Sequence, residues 1–538
     1  MTMVLPGELK AMLRDGKELA LIDVREQGVF YKEHQLFAVC IPLSHLEVRI
    51  RDMVPRYATR MVLVDEGPGE DLARRASRQL TRMGYRNVAV LRGGIRAWDE
   101  AGYELFSGVN VPSKAFGEIC EETCNTPRIT AEALKAKFDS GDTVVVLDSR
   151  PWEEYQLMSI PGSIDTPGAE LVLRVHDLAP DPETFVVVNC AGRTRSIIGT
   201  QSLINAGIVN PVAALKNGTM GWHLTGFELE RGMERRAPEP SPEGLQKARA
   251  CARRVAEHYG VQTIDHDTLA AWSGEENDRT VYVFDVRLPE EYEQGHLACA
   301  RNAPGGQLVQ ATDEYAAVRH ARIVLVDSVE VQAVMTASWL IQMGWTEVYV
   351  LAGGLGDEAT VTGAFPATMV DDEWNEIITP ADLVHAIDGG IVTVIDLGSS
   401  RNHTQGHIPG ASWCVRSRVH DHLQAIGQSE FFVFTSEDGR LANLAARDMK
   451  EYRPDISVKV LDGGTDAWVQ DGLPVEMGMQ QPLCEVDDIW YKPYEQSRAR
   501  ERDMHAYLTW EVALVEKVRR DGDASFRKGM QNFFNHLK

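Results

Sequence analysis

The run Val186-Val187-Val188-Asn189-Cys190-Ala191-Gly192-Arg193-Thr194-Arg195-Ser196 places a thiol where an apolar segment gives way to small and basic residues. A tight loop of this kind turns its backbone N–H groups inward, and a helix starting at its far end adds a positive dipole end. Gly192 allows backbone angles that other residues resist, and Arg193 and Arg195 add fixed positive charge. Cys190 is therefore expected in surroundings that favour a thiolate, which is the nucleophilic form. The competing reading is a small buried cysteine at a strand end. It accounts for neither the glycine nor the two arginines.

The elements that must position this loop recur through the chain. Four apolar segments end in aspartate, at Asp23, Asp148, Asp285 and Asp396. Each is followed 65 to 68 residues later by a strand running into a glycine turn, beginning at Leu91, Leu215, Leu351 and Leu461. Trp98, Trp222 and Trp468 follow three of these turns at one offset, and Glu358 stands there in the third. A middle strand ends at Asp65, Cys190, Asp327 and Ser436, which lie 42, 42, 42 and 40 residues after the first aspartates. A period near a hundred residues means tandem domains rather than a solenoid. Short apolar strands alternate with helical patterns, so each repeat is expected to be α/β, a mostly parallel sheet flanked by helices. Ile197, Ile198, Gln201, Leu203 and Ile204 give the helix after Cys190 a buried face, and Gly207 suits its C-terminal cap.

The expected organisation is a first repeat over 1–108, a second carrying Cys190 over 126–233, and a linker with a helix over 234–260. A third repeat over 261–366, a fourth over 376–476 and a helical tail over 477–538 complete it. In the tail, a helix is predicted from Arg498 to Arg520, with Met504, Tyr507, Leu508, Val512 and Val515 packed on the body.

Composition narrows the partners. Lys+Arg is 55 against Asp+Glu 79, a net charge of −24, which argues against nucleic acid or an anionic membrane surface. No apolar run of spanning length and no basic leader with an apolar core is present, so a cytoplasmic protein is expected. The eight cysteines are sparse and irregular, which suits a reducing compartment rather than a disulfide framework. Cys120 and Cys124 form one close pair with no second pair at zinc spacing, so no metal is expected. Cys40, Cys251, Cys299, Cys414 and Cys484 read as buried thiols, and His296 and His407 as structural histidines.

Together these motifs resemble the rhodanese-like sulfurtransferases, as four tandem domains covering residues 1 to about 475. The resemblance rests on Asp23-Val-Arg25, Asp148-Ser-Arg150 and Asp285-Val-Arg287, and on Glu154-Tyr155 and Glu291-Tyr292. Gly406-His407-Ile408-Pro409-Gly410-Ala411, the Cys190 loop and the Gly-Gly turns complete it. It implies that Cys190 is catalytic, carrying a persulfide between a sulfur donor and an acceptor thiol or cyanide. Ala191, Gly192, Arg193, Thr194, Arg195, Ser196 and Arg150 are the implied substrate-binding residues. It implies no cofactor and leaves a homodimer open. Related phosphatases place five residues between Cys and Arg, whereas Cys190 and Arg195 enclose four, which favours sulfur transfer. The basic loop favours thiosulfate over 3-mercaptopyruvate, although Glu154 stands near where some members hold a second anion-binding arginine. Met158-Ser-Ile-Pro-Gly162 departs from the family's Gly-His-Ile-Pro-Gly. A persulfide carrier for a protein partner, or a cysteine phosphatase or arsenate reductase, are the alternatives. Asp65, Asp327 and Ser436 cannot form a persulfide, so the other three repeats are expected to be silent, packing or covering the second repeat.

Overall fold

The structure of the protein, a computed structural model, describes residues 1–274, 278–356, 361–366, 376–422, 430–480, 482–495, 500–524 and 526. Four parallel sheets flanked by helices carry the four repeats, as expected. In the second repeat the strands are Arg128–Ile129, Val144–Asp148, Ile164–Asp165, Phe185–Asn189 and Val212–Leu215. Their spatial order is first, fifth, fourth, second, third, all parallel. Phe185–Asn189 lies at the centre, and its valines are buried on both faces, which is why the segment is apolar without alternation. Open sheets of this type bind ligands beyond the carboxyl ends of their strands. Cys190 sits at that end.

The recurring motifs are structural anchors. Arg25, Arg150 and Arg287 each fork onto the aspartate two residues earlier, inside the protein. In the fourth repeat Asp396 instead bonds His403 Nδ1 at 2.8 Å. Trp98, Trp222 and Trp468 each donate their indole N–H to a carbonyl six residues on, at Glu104, Glu228 and Pro474. Glu358, at the diverged position, lies outside the described residues. His296 and His407 are buried, with Nδ1 against the carbonyls of Tyr292 and His403 at 2.9 and 2.8 Å. Cys251 and Cys414 are buried as expected, but Cys299 is exposed and Cys40 and Cys484 are half-buried.

The repeats are not beads on a string. Val318–Arg319 of the third repeat adds an antiparallel strand to the first repeat's sheet, opposite Leu19 and Ala20. Trp339 Nε1 of the third donates to Ser202 Oγ of the second at 2.7 Å. Arg416 of the fourth forks onto Glu47 of the first at 2.7 and 2.8 Å. The linker helix Pro242–Tyr259 packs between helices Leu171–Leu178 and Gln332–Gln342. Its N-cap is Ser241, whose hydroxyl accepts the N–H of Gly244 at 3.0 Å.

The tail helix runs Arg500–Asp521 and packs on the connector helix Val111–Cys124. Met504, Leu508 and Val515 are buried as the pattern requires, but Val512 is 52 % exposed. Glu511 and Leu514 take the inward positions instead. An acid in a core stripe is invisible to a search for apolar spacing.

Candidate active site

The Cys190 loop is held from below by the glycine turn that follows the last strand. The N–H groups of Thr219 and Met220 donate to the carbonyls of Cys190 and Ala191 at 2.8 and 3.0 Å. Gly218 has a φ of +55°, and a Cβ there would meet the Cys190 carbonyl oxygen at 2.2 Å. This close approach makes glycine necessary and explains why strand ends and Gly turns keep their spacing. The same contact recurs between Gly94 and Asp65, Gly354 and Asp327, and Gly464 and Ser436.

The equivalents of Cys190 reveal what the loop binds. In the third repeat the Asp327 carboxylate accepts the N–H groups of Glu330, Val331 and Ala333 at 2.6, 2.9 and 3.1 Å. In the first, Asp65 accepts those of Gly67 and Ala73 at 3.1 and 3.0 Å. In the fourth, Ser436 Oγ accepts that of Ala442 at 3.3 Å. Each of these three repeats thus fills its cradle with its own side chain. Counted from Cys190, the Asp327 donors correspond to Arg193, Thr194 and Ser196, whose N–H groups make no hydrogen bond among those described. An anion cradle is present in the second repeat with its donors unused.

Cys190 is 2 % exposed, and its Sγ lies 3.4 Å from Ser196 Oγ, which in turn donates to the Arg193 carbonyl at 2.8 Å. Ser196 is itself buried at the first turn of helix Thr194–Asn205. A cavity of about 380 Å³ opens onto Cys190, Ala191, Gly192, Arg193, Thr194 and Arg195. Arg150 is not brought to it. Its guanidinium is bound to Asp148 and the Met158 carbonyl, which places it in the scaffold beneath the loop.

The two loop arginines are buried and neutralised rather than free. Arg193 contacts Glu118 at 2.6 and 2.7 Å and Glu121 at 2.6 Å, both on the connector helix. Arg195 donates to Glu154 at 2.8 Å and to Gln307 of the third repeat at 3.0 Å. Burial alone would push the Glu154 carboxyl up, but Arg195, with Lys492 and Arg150, holds it well below the usual carboxylate range. Net positive charge at the thiol therefore cannot be counted from the loop alone.

The remaining cavity wall comes from outside the repeat. The connector helix contributes Lys114, and the first and fourth repeats add Gln27, Arg401 and Asn402. A strap over 482–495 closes the top with Trp490, Lys492 and Tyr494. It is stitched to three repeats: the Asp487 carbonyl accepts from Gly28 N at 2.8 Å, Asp488 from Ser400 N at 2.8 Å, and Lys492 reaches Glu154 at 2.8 Å. Tyr507 and Glu511 of the tail helix complete the enclosure. Lys114 lies 3.6 Å from Glu511 and over the Tyr507 ring. Burial pushes its ammonium down, and Glu511 opposes that shift. None of these wall residues was legible in the sequence except Tyr507, which belongs to the helical stripe.

A parallel α/β sheet with an anion cradle at the end of its central strand, repeated four times, defines the class. The rhodanese-like domain model matches residues 5–101, 130–225, 265–357 and 379–471, and the chain belongs to that family. A solved structure of thiosulfate sulfurtransferase from Pseudomonas aeruginosa is 47 % identical, with a TM-score of 0.94, covering 97 % of this chain and 99 % of that one. Among curated relatives, a putative sulfur carrier protein, YrkF of Bacillus subtilis, is 29 % identical over 102 residues, 18 % of this chain and 54 % of its own. An HTH-type transcriptional regulator of Mycobacterium tuberculosis, Rv0324, is 33 % identical over 104 residues, 19 % of this chain and 45 % of its own. The chain thus spans about half the length of these curated relatives. No described helix is long and apolar enough to cross a membrane.

Proposed function

We propose that the protein is a sulfurtransferase that takes sulfane sulfur from an anionic donor such as thiosulfate onto Cys190 and passes it to a thiophilic acceptor. The observation that carries this reading is the contrast between repeats. Three of them close their cradle with an internal oxygen ligand, and the second repeat leaves its donors unused around a thiol. The similarity to a thiosulfate sulfurtransferase over nearly the whole chain supports the same donor.

In the first half-reaction the Cys190 thiolate attacks the outer sulfur of thiosulfate. A new S–S bond forms, the donor's S–S bond breaks, and sulfite leaves with the electron pair. The cradle N–H groups stabilise negative charge at the loop, and Lys114 offers a buried ammonium to the departing anion. In the second, a thiolate or cyanide attacks the outer persulfide sulfur and Cys190 leaves as thiolate. The product is a new persulfide or thiocyanate, and ping-pong kinetics follow. The enclosure of the thiol by strap and tail favours a small-molecule acceptor over a docked protein partner.

The test is intact mass after exposure to thiosulfate. The native chain gains one sulfur and Cys190→Ser gains none, while serine at each of the other seven cysteines leaves labelling in place. Labelling of Cys190→Ser would overturn the assignment.

A further inference from the structure

The cradle explains how an anion is held, but not where a proton goes. An organic thiol acceptor enters as R–SH, and only about 3 % of a thiol of pKa about 8.5 is ionised at pH 7. It must lose its proton to attack the persulfide. Cyanide, a weaker acid than the thiol, reacts through the small fraction already ionised in solution and brings no proton into the site. The cavity contains one carboxylate suited to receive that proton.

Glu511 is 1 % exposed and lines the cavity from the tail helix. Its Oε1 accepts from Tyr507 OH at 3.1 Å and from Thr194 Oγ1 at 3.3 Å. Its Oε2 is buried and has no hydrogen-bond partner among the described residues. That oxygen lies against Gly192, where a Cβ would meet it at 3.2 Å. A buried carboxylate oxygen left without a donor is costly and rare. Here it is turned toward the loop that carries the nucleophile. A carboxylate in an anion site would also repel thiosulfate, but the Lys114 ammonium 3.6 Å away offsets it. The same ammonium stabilises a thiolate as it forms. The cavity, at about 380 Å³, is also far roomier than a cyanide ion needs, and its Trp490, Tyr494 and Tyr507 walls suit an organic body.

We propose that Glu511 accepts the proton of an organic thiol acceptor during persulfide unloading, so that the acceptor this site is built for is a thiol rather than cyanide. The inference rests on the sulfurtransferase reading above. In the step, R–SH gives its proton to Glu511 Oε2 while its sulfur bonds to the outer persulfide sulfur. The Cys190–sulfur bond breaks, Cys190 leaves as thiolate, and R–S–S⁻ is released, the proton remaining on Glu511 until it passes to solvent. No oxidant or reductant is consumed. The transition state then has the composition of neutral thiol plus carboxylate, so its rate does not follow thiol ionisation. Glu511 interacts with Lys114 and Glu118 of the connector helix, Arg193 of the loop and Tyr507 on its own helix, and the cavity it lines also holds Cys190, Arg195, Glu314, Arg401, Lys492 and Tyr494.

The experiment uses the full chain loaded with thiosulfate, freed of excess donor and checked by mass. Loss of the added sulfur is then timed with glutathione and with cyanide, from pH 6 to 9. In the native chain the glutathione rate should be nearly flat with pH. In Glu511→Gln the ratio of glutathione to cyanide rate at pH 7 should fall about tenfold. Its glutathione rate should climb with pH as the thiol ionises, and Glu511→Asp should recover part of the flat profile. Thermal unfolding of each variant reports whether it has folded. A native glutathione rate that already tracks thiol ionisation overturns the role of Glu511, with or without a folded variant. So does a ratio in Glu511→Gln within twofold of native. A native chain that takes no sulfur from thiosulfate overturns the sulfurtransferase reading itself, and this inference with it.

Discussion

Arg195 and Glu154 meet Nη2 to Oε2 at 2.8 Å, so one of the two loop arginines is bound to a carboxylate of its own repeat. The other oxygen of that carboxylate takes Lys492 of the strap at 2.8 Å. Removing Arg195 leaves the buried Glu154 carboxylate to Lys492 and Tyr494. Arg195→Ala is expected to cost about 1.5–3 kcal/mol of stability and to loosen the strap, lowering kcat/KM for thiosulfate. The paired change Arg195→Met with Glu154→Gln should regain much of the stability without the activity. Thermal unfolding and thiosulfate kinetics on the two variants check this. An unaltered Tm in Arg195→Ala would show that the pair is dispensable.

Lys114 is a buried ammonium of the cavity, with Glu511 standing 3.6 Å off. Lys114→Met is expected to raise the thiosulfate KM about tenfold or more, the worth of one charge-assisted contact. Arg193, held by Glu118 and Glu121 away from solvent, should act chiefly on stability when changed to alanine. Steady-state kinetics at several ionic strengths separate the two. A larger KM effect from Arg193→Ala than from Lys114→Met would restore the loop arginines as the anion's main contacts.

Asp327→Cys, made on a Cys190→Ser background, should gain no sulfur from thiosulfate. The cradle donors are present there, but the loop brings Glu330 and no lysine or arginine within the next ten residues. Asp65→Cys meets Glu70 as a nearby like charge, which raises the pKa of the native aspartate beyond the effect of burial. Labelling by intact mass is again the measure, and labelling at either graft would mean that donors alone make a working site.

Asp165 supplies a pH prediction. Burial pushes its carboxyl up to about 8, and Asp148 adds to the shift. Its Oδ1 has no hydrogen-bond partner among the described residues. A folded-state pKa above the unfolded one means that the native chain holds an extra proton. The stabilisation is full below the unfolded value of about 4 and is lost as pH rises toward about 8. Asp165→Asn, which keeps the shape without the charge, should therefore stabilise the protein at pH 8–9 by roughly 1–2 kcal/mol and little at pH 4. Tm measured across that range decides it; a pH-independent difference would mean that the group titrates normally.

The repeat pattern was legible because it rests on local necessities. Asp-x-Arg forks, buried valine strands and a glycine that no Cβ can replace leave marks at constant spacing. The position of Cys190 was legible for the same reason. The charge of its loop was not, because Glu118 and Glu154 lie 75 and 41 residues from the arginines they neutralise. From the sequence, Asp65 and Asp327 are expected only to be unable to form a persulfide. The structure shows them doing something more local, satisfying the cradle themselves. Lys114, Glu511 and the strap residues stand outside every repeat motif, and only the folded chain brings them to the thiol.

The strand Val318–Arg319 has a consequence for biosynthesis. Its partners Leu19 and Ala20 leave the ribosome 298 residues earlier than Val318 does. At ordinary rates of about 5–20 residues per second, that is a delay of about 15–60 s. For that time the nascent first repeat carries an open sheet edge, and the chain must be guarded against pairing with another copy of itself. The newborn protein is most vulnerable at its oldest end, and only the arrival of the third repeat ends the exposure.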